Sequence, residues 1–149
     1  MIISKEIEFD MGHRIPHHKS KCRSPHGHRY KLIVYLMGDV LDLEGESDHG
    51  MVMDFSDIKK ILMEEIDEQF DHAFVYWEKD EALCDFYEKE DHFKSVKVSF
   101  TPTVENLAGW FFHQLHVRFM DTYGNNLTLN AVELFETPTC KAVCHGLED

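Results

Sequence analysis

The chain has 149 residues, of which 43% are hydrophobic and 12% aromatic, so it can bury one sizeable core and we expect a single domain over residues 1–149. Its formal net charge of −13 argues against a general nucleic-acid-binding protein, which needs a broad basic surface. No apolar run is long enough to span a bilayer, and the acidic start MIISKEIEFD is unlike a signal peptide. We therefore expect a cytoplasmic protein that does not bind membranes, with four cysteines that are free thiols or ligands.

Two strands are predicted at the start of the chain. Apolar and acidic residues alternate over residues 6–11, which is the period of a half-buried strand, and His13 continues the apolar phase. A loop over residues 14–25 follows. In the second strand, residues 26–36, the even-numbered side chains share one face, so both strands can contribute to the same core.

Two helices are predicted in the middle of the chain. Apolar residues recur at intervals of three and four over residues 54–70, where Asp54 is placed to cap the helix. The same spacing follows Thr103 in the segment 101–119, with Thr103 as the cap. The acidic segment between the helices, residues 78–93, receives no assignment.

The remaining predicted strands are a short one at residues 97–100 and two longer ones at 127–136 and 140–146. Without the short strand, the order of elements is ββααββ. This order predicts an α+β fold in which a four-stranded antiparallel sheet carries two helices on one face.

The segment from Met11 to Gly38 differs in composition from the rest of this acidic chain. It contains no Asp or Glu, and its histidines and basic residues are His13, His17, His18, His26, His28, Arg14, Lys19, Lys21, Arg23, Arg29 and Lys31. Basic residues that line one cleft can reverse the local field of an acidic protein. The segment therefore favours a small anionic ligand over a large polyanion.

His26 and His28 have the spacing of a metal site. On a strand their Cβ atoms would lie roughly 6.5–7 Å apart on one face, and zinc–nitrogen bonds are about 2.0–2.1 Å. His13 is in phase to supply a third ligand from the neighbouring strand, which leaves a fourth position open. The alternatives are two solvated histidines at a strand end, or a third ligand from the loop residues His17 and His18, which we interpret as lid or anion-contact residues.

Cys22 lies in the loop between Lys21 and Arg23, an environment that favours a reactive thiolate. It could be a metal ligand, a base or a nucleophile, and the simpler alternative is a small buried apolar side chain. Cys140 and Cys144 would lie about 13 Å apart on one strand, too far to share an ion.

Two acidic positions are also candidates. Asp71 directly precedes His72 at the end of the first helix, which is typical of a surface pair but also of a carboxylate that orients an acid–base imidazole. Glu136 continues an apolar phase, and a buried carboxylate needs donors. Those donors could be two parallel N–H groups of a heterocycle, or a salt-bridge partner within the fold.

The sequence resembles the 6-pyruvoyl-tetrahydropterin synthase / 6-carboxy-tetrahydropterin synthase family of the tunnelling-fold superfamily. The resemblance covers nearly the whole chain and is carried by the motifs FDMGHRIPHHKSKCRSPHGHRY, GMVMDFSDIK, FDHAFV, TPTVENLA and ETPT. It implies a tunnelling fold whose subunits form trimers that stack as a homohexamer around a β-barrel.

The resemblance also implies roles for individual residues. The implied groups are zinc ligands His13, His26 and His28; a catalytic set of Cys22, Asp71 and His72, the last two acting across a subunit boundary; and substrate-binding residues Glu136, Thr103 and Glu105. Glu136 would hold the 2-amino and N3–H edge of a pterin.

The implied substrate is 7,8-dihydroneopterin triphosphate, and its triphosphate would account for the basic segment. The CRSPHGH spacing, the short chain and the ETPT ending are more similar to the carboxy branch, a lyase that releases acetaldehyde and triphosphate on the route to queuosine and related 7-deazapurines. The alternatives are a 6-pyruvoyl-tetrahydropterin synthase, a non-catalytic zinc or pterin-binding module, and a metal-dependent hydrolase, for which no carboxylate base stands beside HGH.

Overall fold

The structure is a computed structural model that describes residues 1–146, so residues 147–149 of the predicted domain lie outside the described residues. In chain order the elements are β1 (Ile2–His13), a 3-10 turn (Lys21–Arg23), β2 (His26–Gly38), α1 (Phe55–Leu62), a π-helical segment (Met63–Asp67), α2 (Glu68–Phe70), β3 (Ala73–Trp77), α3 (Glu81–Lys89), β4 (Ser95–Val98), α4 (Val104–Tyr123), a 3-10 turn (Gly124–Asn126), β5 (Leu127–Thr137) and β6 (Cys140–His145). Within residues 1–146, no helix combines the length and the apolar character needed to cross a bilayer.

The fold is α+β, as predicted, but its sheet has six strands instead of four, in the order β4-β3-β1-β2-β5-β6. The four predicted strands are adjacent and antiparallel. Strands β3 and β4 extend the sheet beyond β1 in parallel pairing. The prediction of a four-stranded antiparallel sheet was wrong because β3 has the sequence AFVYW, a continuous apolar run without the period of two. β4 is only four residues long and starts two residues before the predicted 97–100.

The pairing of β1 with β2 places the odd-numbered residues of β1 and the even-numbered residues of β2 on one face. Phe9 pairs with Tyr30, and their rings stack with centroids 5.8 Å apart. Both belong to one buried cluster that extends over β5 and the helices. The predicted phase of both strands is therefore confirmed.

The two predicted helices supply the other side of this cluster. The first runs through α1, the π-helical segment and α2, and the Asp54 carboxylate accepts from the Ser56 amide at 2.7 Å as its N-cap. The second is α4, which continues to Tyr123, beyond the predicted end. The buried side chains of these helices are Ile58, Ile61, Leu62, Ile66, Phe70, Leu107, Ala108, Phe111, Leu115 and Phe119.

A third helix, α3, occupies the acidic segment that received no assignment. Its Tyr87 ring stacks on Tyr76 of β3, with centroids 4.9 Å apart. Val75 faces the core cluster, and strand neighbours alternate between faces, so Tyr76 points to the opposite side of the sheet. The prediction that helices cover only one face of the sheet was therefore wrong, because α3 packs on the other face.

We predict opposite effects for two Gly→Ala substitutions. A Cβ at Gly12 would lie 2.6 Å from Phe74 Cδ2, so Gly12→Ala should lower the free energy of unfolding by about 1–3 kcal/mol through overpacking. Gly109 lies within α4, and its Cβ would meet no atom within 4 Å. Gly109→Ala should therefore raise that free energy by about 0.5–1 kcal/mol. Urea unfolding monitored by circular dichroism measures the free energy of unfolding of both variants. Equal changes in the two variants would contradict the packing of Phe74 against Gly12.

Candidate functional site

Three histidine side chains converge at one end of the sheet. His13 is the last residue of β1, His26 is the first residue of β2, and the register pairs them directly. His28 follows on the same face, and one ligand atom from each of the three residues lies within 4.8 Å of the others. The convergence predicted from the sequence is confirmed. His13 is 1% exposed, whereas His28 is half-buried.

Hydrogen bonds to the backbone orient two of these rings. His13 Nδ1 donates to the Pro102 carbonyl oxygen at 2.7 Å, and His26 Nδ1 donates to the Ser24 carbonyl oxygen at 2.7 Å. A carbonyl oxygen can only accept, so these Nδ1 atoms carry protons and the Nε2 atoms of the neutral rings keep their lone pairs. This arrangement is typical of metal-binding histidines.

The third ring has an unpaired nitrogen. His28 Nε2 is buried and has no hydrogen-bond partner within residues 1–146. Burial lowers the pKa of both His13 and His28, because desolvation penalises the charged imidazolium. Neutral imidazole nitrogens suit a divalent ion such as zinc, so the residues present fit the metal that the sequence implies.

Glu136 and Tyr30 complete the polar surroundings of the three histidines. Glu136 Oε1 lies 3.6 Å from His28 Nε2, and its Oε2 lies 3.8 Å from His13 Nε2. The Tyr30 hydroxyl donates to His13 Nε2 at 3.3 Å, and burial raises the Tyr30 pKa so that it stays protonated. Sequence reasoning missed Tyr30, although its phase with His28 on β2 could have identified it.

The TPTVEN segment positions the site from the start of α4. The Pro102 carbonyl orients His13, and the Thr103 hydroxyl accepts from the Asn106 amide as the N-cap of α4. Glu105 is exposed in the first turn of this helix. No hydrogen bond among the described residues joins Thr103 or Glu105 to the three histidines.

Asp71 and His72 form an oriented pair. The Asp71 carboxylate accepts from the Asp10 amide at 2.9 Å and from His72 Nδ1 at 2.6 Å. The hydrogen bond from the Asp10 amide is the main reason why the pKa of Asp71 is lowered. His72 has a φ of 61°, a strained value for a residue that is not glycine, and its side chain is 76% exposed. The structure therefore presents this imidazole at the surface, where it lines a pocket together with His28, and no hydrogen bond within residues 1–146 joins it to the three histidines.

Cys22 lies in the 3-10 turn of the loop between β1 and β2 and is partly buried. Its carbonyl oxygen accepts from the Ile15 amide at 2.8 Å. In the described part of the chain, its sulfur makes no hydrogen bond and belongs to no metal-ligand cluster. All four cysteines are free thiols, which is one of the two states expected from the sequence.

The basic segment is partly neutralised by acids from elsewhere in the chain. Arg14 pairs with Asp80, and Arg29 pairs with Glu8 and Asp10. No ion pair within residues 1–146 involves the exposed loop residues Lys19, Lys21 and Arg23. His17 lies edge-on to Trp77, and His18 Nδ1 accepts from the Ser20 amide. Among the described residues, no hydrogen bond or ring contact joins either of them to the three converging histidines.

This fold and its three converging histidines define an α+β protein with a candidate metal site. The family described as 6-pyruvoyl tetrahydropterin synthase matches residues 2–146, and the chain belongs to that family. Three similar proteins are named 6-carboxy-5,6,7,8-tetrahydropterin synthase. They come from Haemophilus influenzae (36% identical, covering 92% of this chain and 93% of the relative), Synechocystis (35%, covering 95% and 90%) and Rickettsia felis (34%, covering 92% and 94%).

Solved structures agree with this assignment of the fold. An uncharacterized protein from Wolinella succinogenes is 25% identical, with a TM-score of 0.77 over 99% of this chain and 98% of the other. The 6-pyruvoyl tetrahydropterin synthase of Caenorhabditis elegans is 24% identical, with a TM-score of 0.66 over 99% and 96%.

We predict that the stability of the metal-free protein falls as the pH decreases below 6.5. The pKa of His13 is lowered in the fold from its ordinary value of 6.5, so the unfolded chain takes up a proton first and stabilisation is lost until the folded pKa is reached. Thermal unfolding of chelator-treated protein between pH 7.5 and pH 5.5 should show a decreasing Tm. His13→Gln should flatten this dependence, whereas the exposed His113→Gln should not; an unchanged slope in His13→Gln would contradict the assignment.

Proposed function

We propose that this protein is a zinc-dependent lyase that converts 7,8-dihydroneopterin triphosphate and one water molecule to 6-carboxy-5,6,7,8-tetrahydropterin, acetaldehyde and triphosphate. The observation that carries the proposal is the convergence of three imidazoles within 4.8 Å beside a carboxylate. The names of the similar proteins support the choice of the carboxy branch.

His13, His26 and His28 would hold the zinc ion through neutral imidazole nitrogens. A bound zinc ion supplies Lewis acidity, which stabilises negative charge that develops on oxygens of the substrate side chain. The chain contributes ring orientation, through the carbonyl groups of Pro102 and Ser24. It also contributes low hydration, since His13 is buried.

Proton transfer is assigned to Cys22 and to the Asp71–His72 pair. Cys22 as a thiolate removes a proton from the substrate side chain. His72 returns or accepts a proton, and its orientation by Asp71 at 2.6 Å supports this role. Because the His72 side chain is 76% exposed, we propose that the pair serves the site of a neighbouring subunit in a homohexamer, a dimer of trimers around a β-barrel.

Substrate binding is assigned to Glu136, with Thr103 and Glu105 close by. The two carboxylate oxygens of Glu136 can accept from the 2-amino and N3–H groups of a pterin, which are parallel donors. The loop residues Lys19, Lys21 and Arg23 have no acidic partner within residues 1–146 and are the candidates to contact the triphosphate.

The proposal extends to the biological setting. We place the reaction in the cytoplasm on the route to queuosine and related 7-deazapurines, and we treat residues 1–149 as one domain.

The second candidate activity is that of a 6-pyruvoyl-tetrahydropterin synthase, which the description of the matching family favours. The metal and base residues would be the same for both activities.

Product analysis tests the proposed activity. Zinc-loaded protein incubated anaerobically with 7,8-dihydroneopterin triphosphate should yield acetaldehyde and a carboxy-pterin by mass spectrometry. A pyruvoyl-pterin instead would select the second candidate. A substrate that binds and stays unchanged for hours would indicate a non-catalytic binding module and contradict the lyase proposal.

Two substitutions separate metal binding from proton transfer. Cys22→Ala should lower kcat by about a hundredfold or more while one zinc per chain is retained, because the base is lost but the ligands remain. His28→Ala should lose zinc and activity together, as measured by metal analysis of the dialysed protein. Cys84→Ala and His145→Ala are matched controls, since Cys84 lies on α3 and His145 is exposed on β6. Full activity in Cys22→Ala would show that the base is another group.

A further inference from the structure

Asp80 is an unusual residue in this structure. Within residues 1–146, Asp80 and His13 are the only buried side chains that are polar or charged, tyrosines aside, and Asp80 is 4% exposed. It lies between β3 and α3, in the acidic segment that the sequence motifs leave without a role. A buried carboxylate is costly unless it is paired, so Asp80 requires a partner within the fold.

Arg14 meets this carboxylate with two parallel hydrogen bonds. Arg14 Nε donates to Asp80 Oδ2 at 2.6 Å, and Nη2 donates to Oδ1 at 2.5 Å. The hydrogen bond to Asp80 raises the pKa of Arg14, so the guanidinium stays charged. The planar guanidinium matches a carboxylate in a way that lysine cannot. By contrast, the Arg29 pairs lie at the surface, with Arg29 61% exposed, and constrain little.

The Arg14–Asp80 pair sits where the loop that carries Cys22 leaves the sheet. Arg14 directly follows His13, and the amide of the next residue, Ile15, donates to the Cys22 carbonyl oxygen at 2.8 Å. A second contact joins the same two regions, since the His17 ring lies 5.9 Å from the ring of Trp77, the last residue of β3. From His17 to Pro25 the loop is otherwise exposed, apart from the partly buried Cys22.

We propose that Arg14 and Asp80 are positioning residues that hold the 14–25 loop, and with it Cys22, relative to the three histidines. The inference rests on the proposed function for its catalytic significance. It assigns a role to the segment between β3 and α3, which anchors the loop through Asp80. It also removes Arg14 from the set of side chains that are free to bind an anionic substrate.

The test compares Asp80→Asn with a matched ion-pair variant. Asp80 Oδ1 also accepts from the Leu83 amide at 3.4 Å as the N-cap of α3. Asn can keep this cap and accept one hydrogen bond, but it cannot form the charged two-bond pair. Glu133→Gln breaks an ion pair of 2.9 Å with Lys141, between β5 and β6, and serves as the control. Arg14→Lys keeps the positive charge without the parallel donors and carries the test if Asp80→Asn does not fold.

Two readouts do not depend on activity. Hydrogen exchange measured by mass spectrometry over residues 14–25 should become about tenfold faster in Asp80→Asn, because the loop loses its anchor. Alkylation of Cys22 by iodoacetamide, quantified on its own peptide, should become about fivefold faster as access increases. Both rates should stay at wild-type values in Glu133→Gln.

Turnover supplies the catalytic readout. In Asp80→Asn, kcat should fall by about ten- to a hundredfold with a KM that changes little, because a misplaced base slows the chemical step more than binding. Loop exchange and Cys22 alkylation at wild-type rates would overturn the inference, whatever the activity. A raised KM with unchanged kcat would also overturn it, since Arg14 would then act in substrate binding. If the wild-type protein turns over no pterin, the proposed function fails, and the exchange and alkylation rates alone decide whether the pair positions Cys22.

Discussion

The antiparallel pairing of β1 with β2 is the constraint on which the candidate site depends. Twelve consecutive residue pairs end at His13 and His26, so the register alone brings two ligands together. A slip of one residue would turn the side chains of one strand to the other face. The stacking of Phe9 on Tyr30 and the burial of both rings oppose such a slip. Hydrophobic burial thus determines the geometry of the polar site.

The site forms where the core cluster ends. The inward-facing phases of β1, β2 and β5 change from apolar to polar at the same end of the sheet, at His13, His28 and Glu136. These groups are partly or fully removed from water, which lowers the pKa of the imidazoles and keeps them neutral. The helix layer also contributes, because the carbonyl group of Pro102, just before α4, accepts a hydrogen bond from His13 and orients its ring. The sheet and the helix layer together preorganise the imidazole nitrogens that would bind the metal.

Much of this arrangement could be predicted because it follows local periodicity. A period of two placed His13, His26 and His28 on one face, and both helix caps followed from single residues, Asp54 and Thr103. Strand β3 escaped prediction, since a strand in parallel pairing has no polar face to reveal its period. Helix α3 was not predicted either, because its segment contains many charged residues and only a short apolar face, which contacts β3.

The sequence by itself determined which side chains share a face and which elements form, because these properties depend on neighbours within a few residues. Only the tertiary structure decided which distant groups meet. Arg14 and Asp80 are 66 residues apart, and their pairing depends on β3 lying beside β1. The burial of His28 Nε2 without a partner among the described residues and the exposure of the His72 side chain likewise depend on packing. Burial and the pairing of buried charges are properties of the assembled core, so no local pattern encodes them.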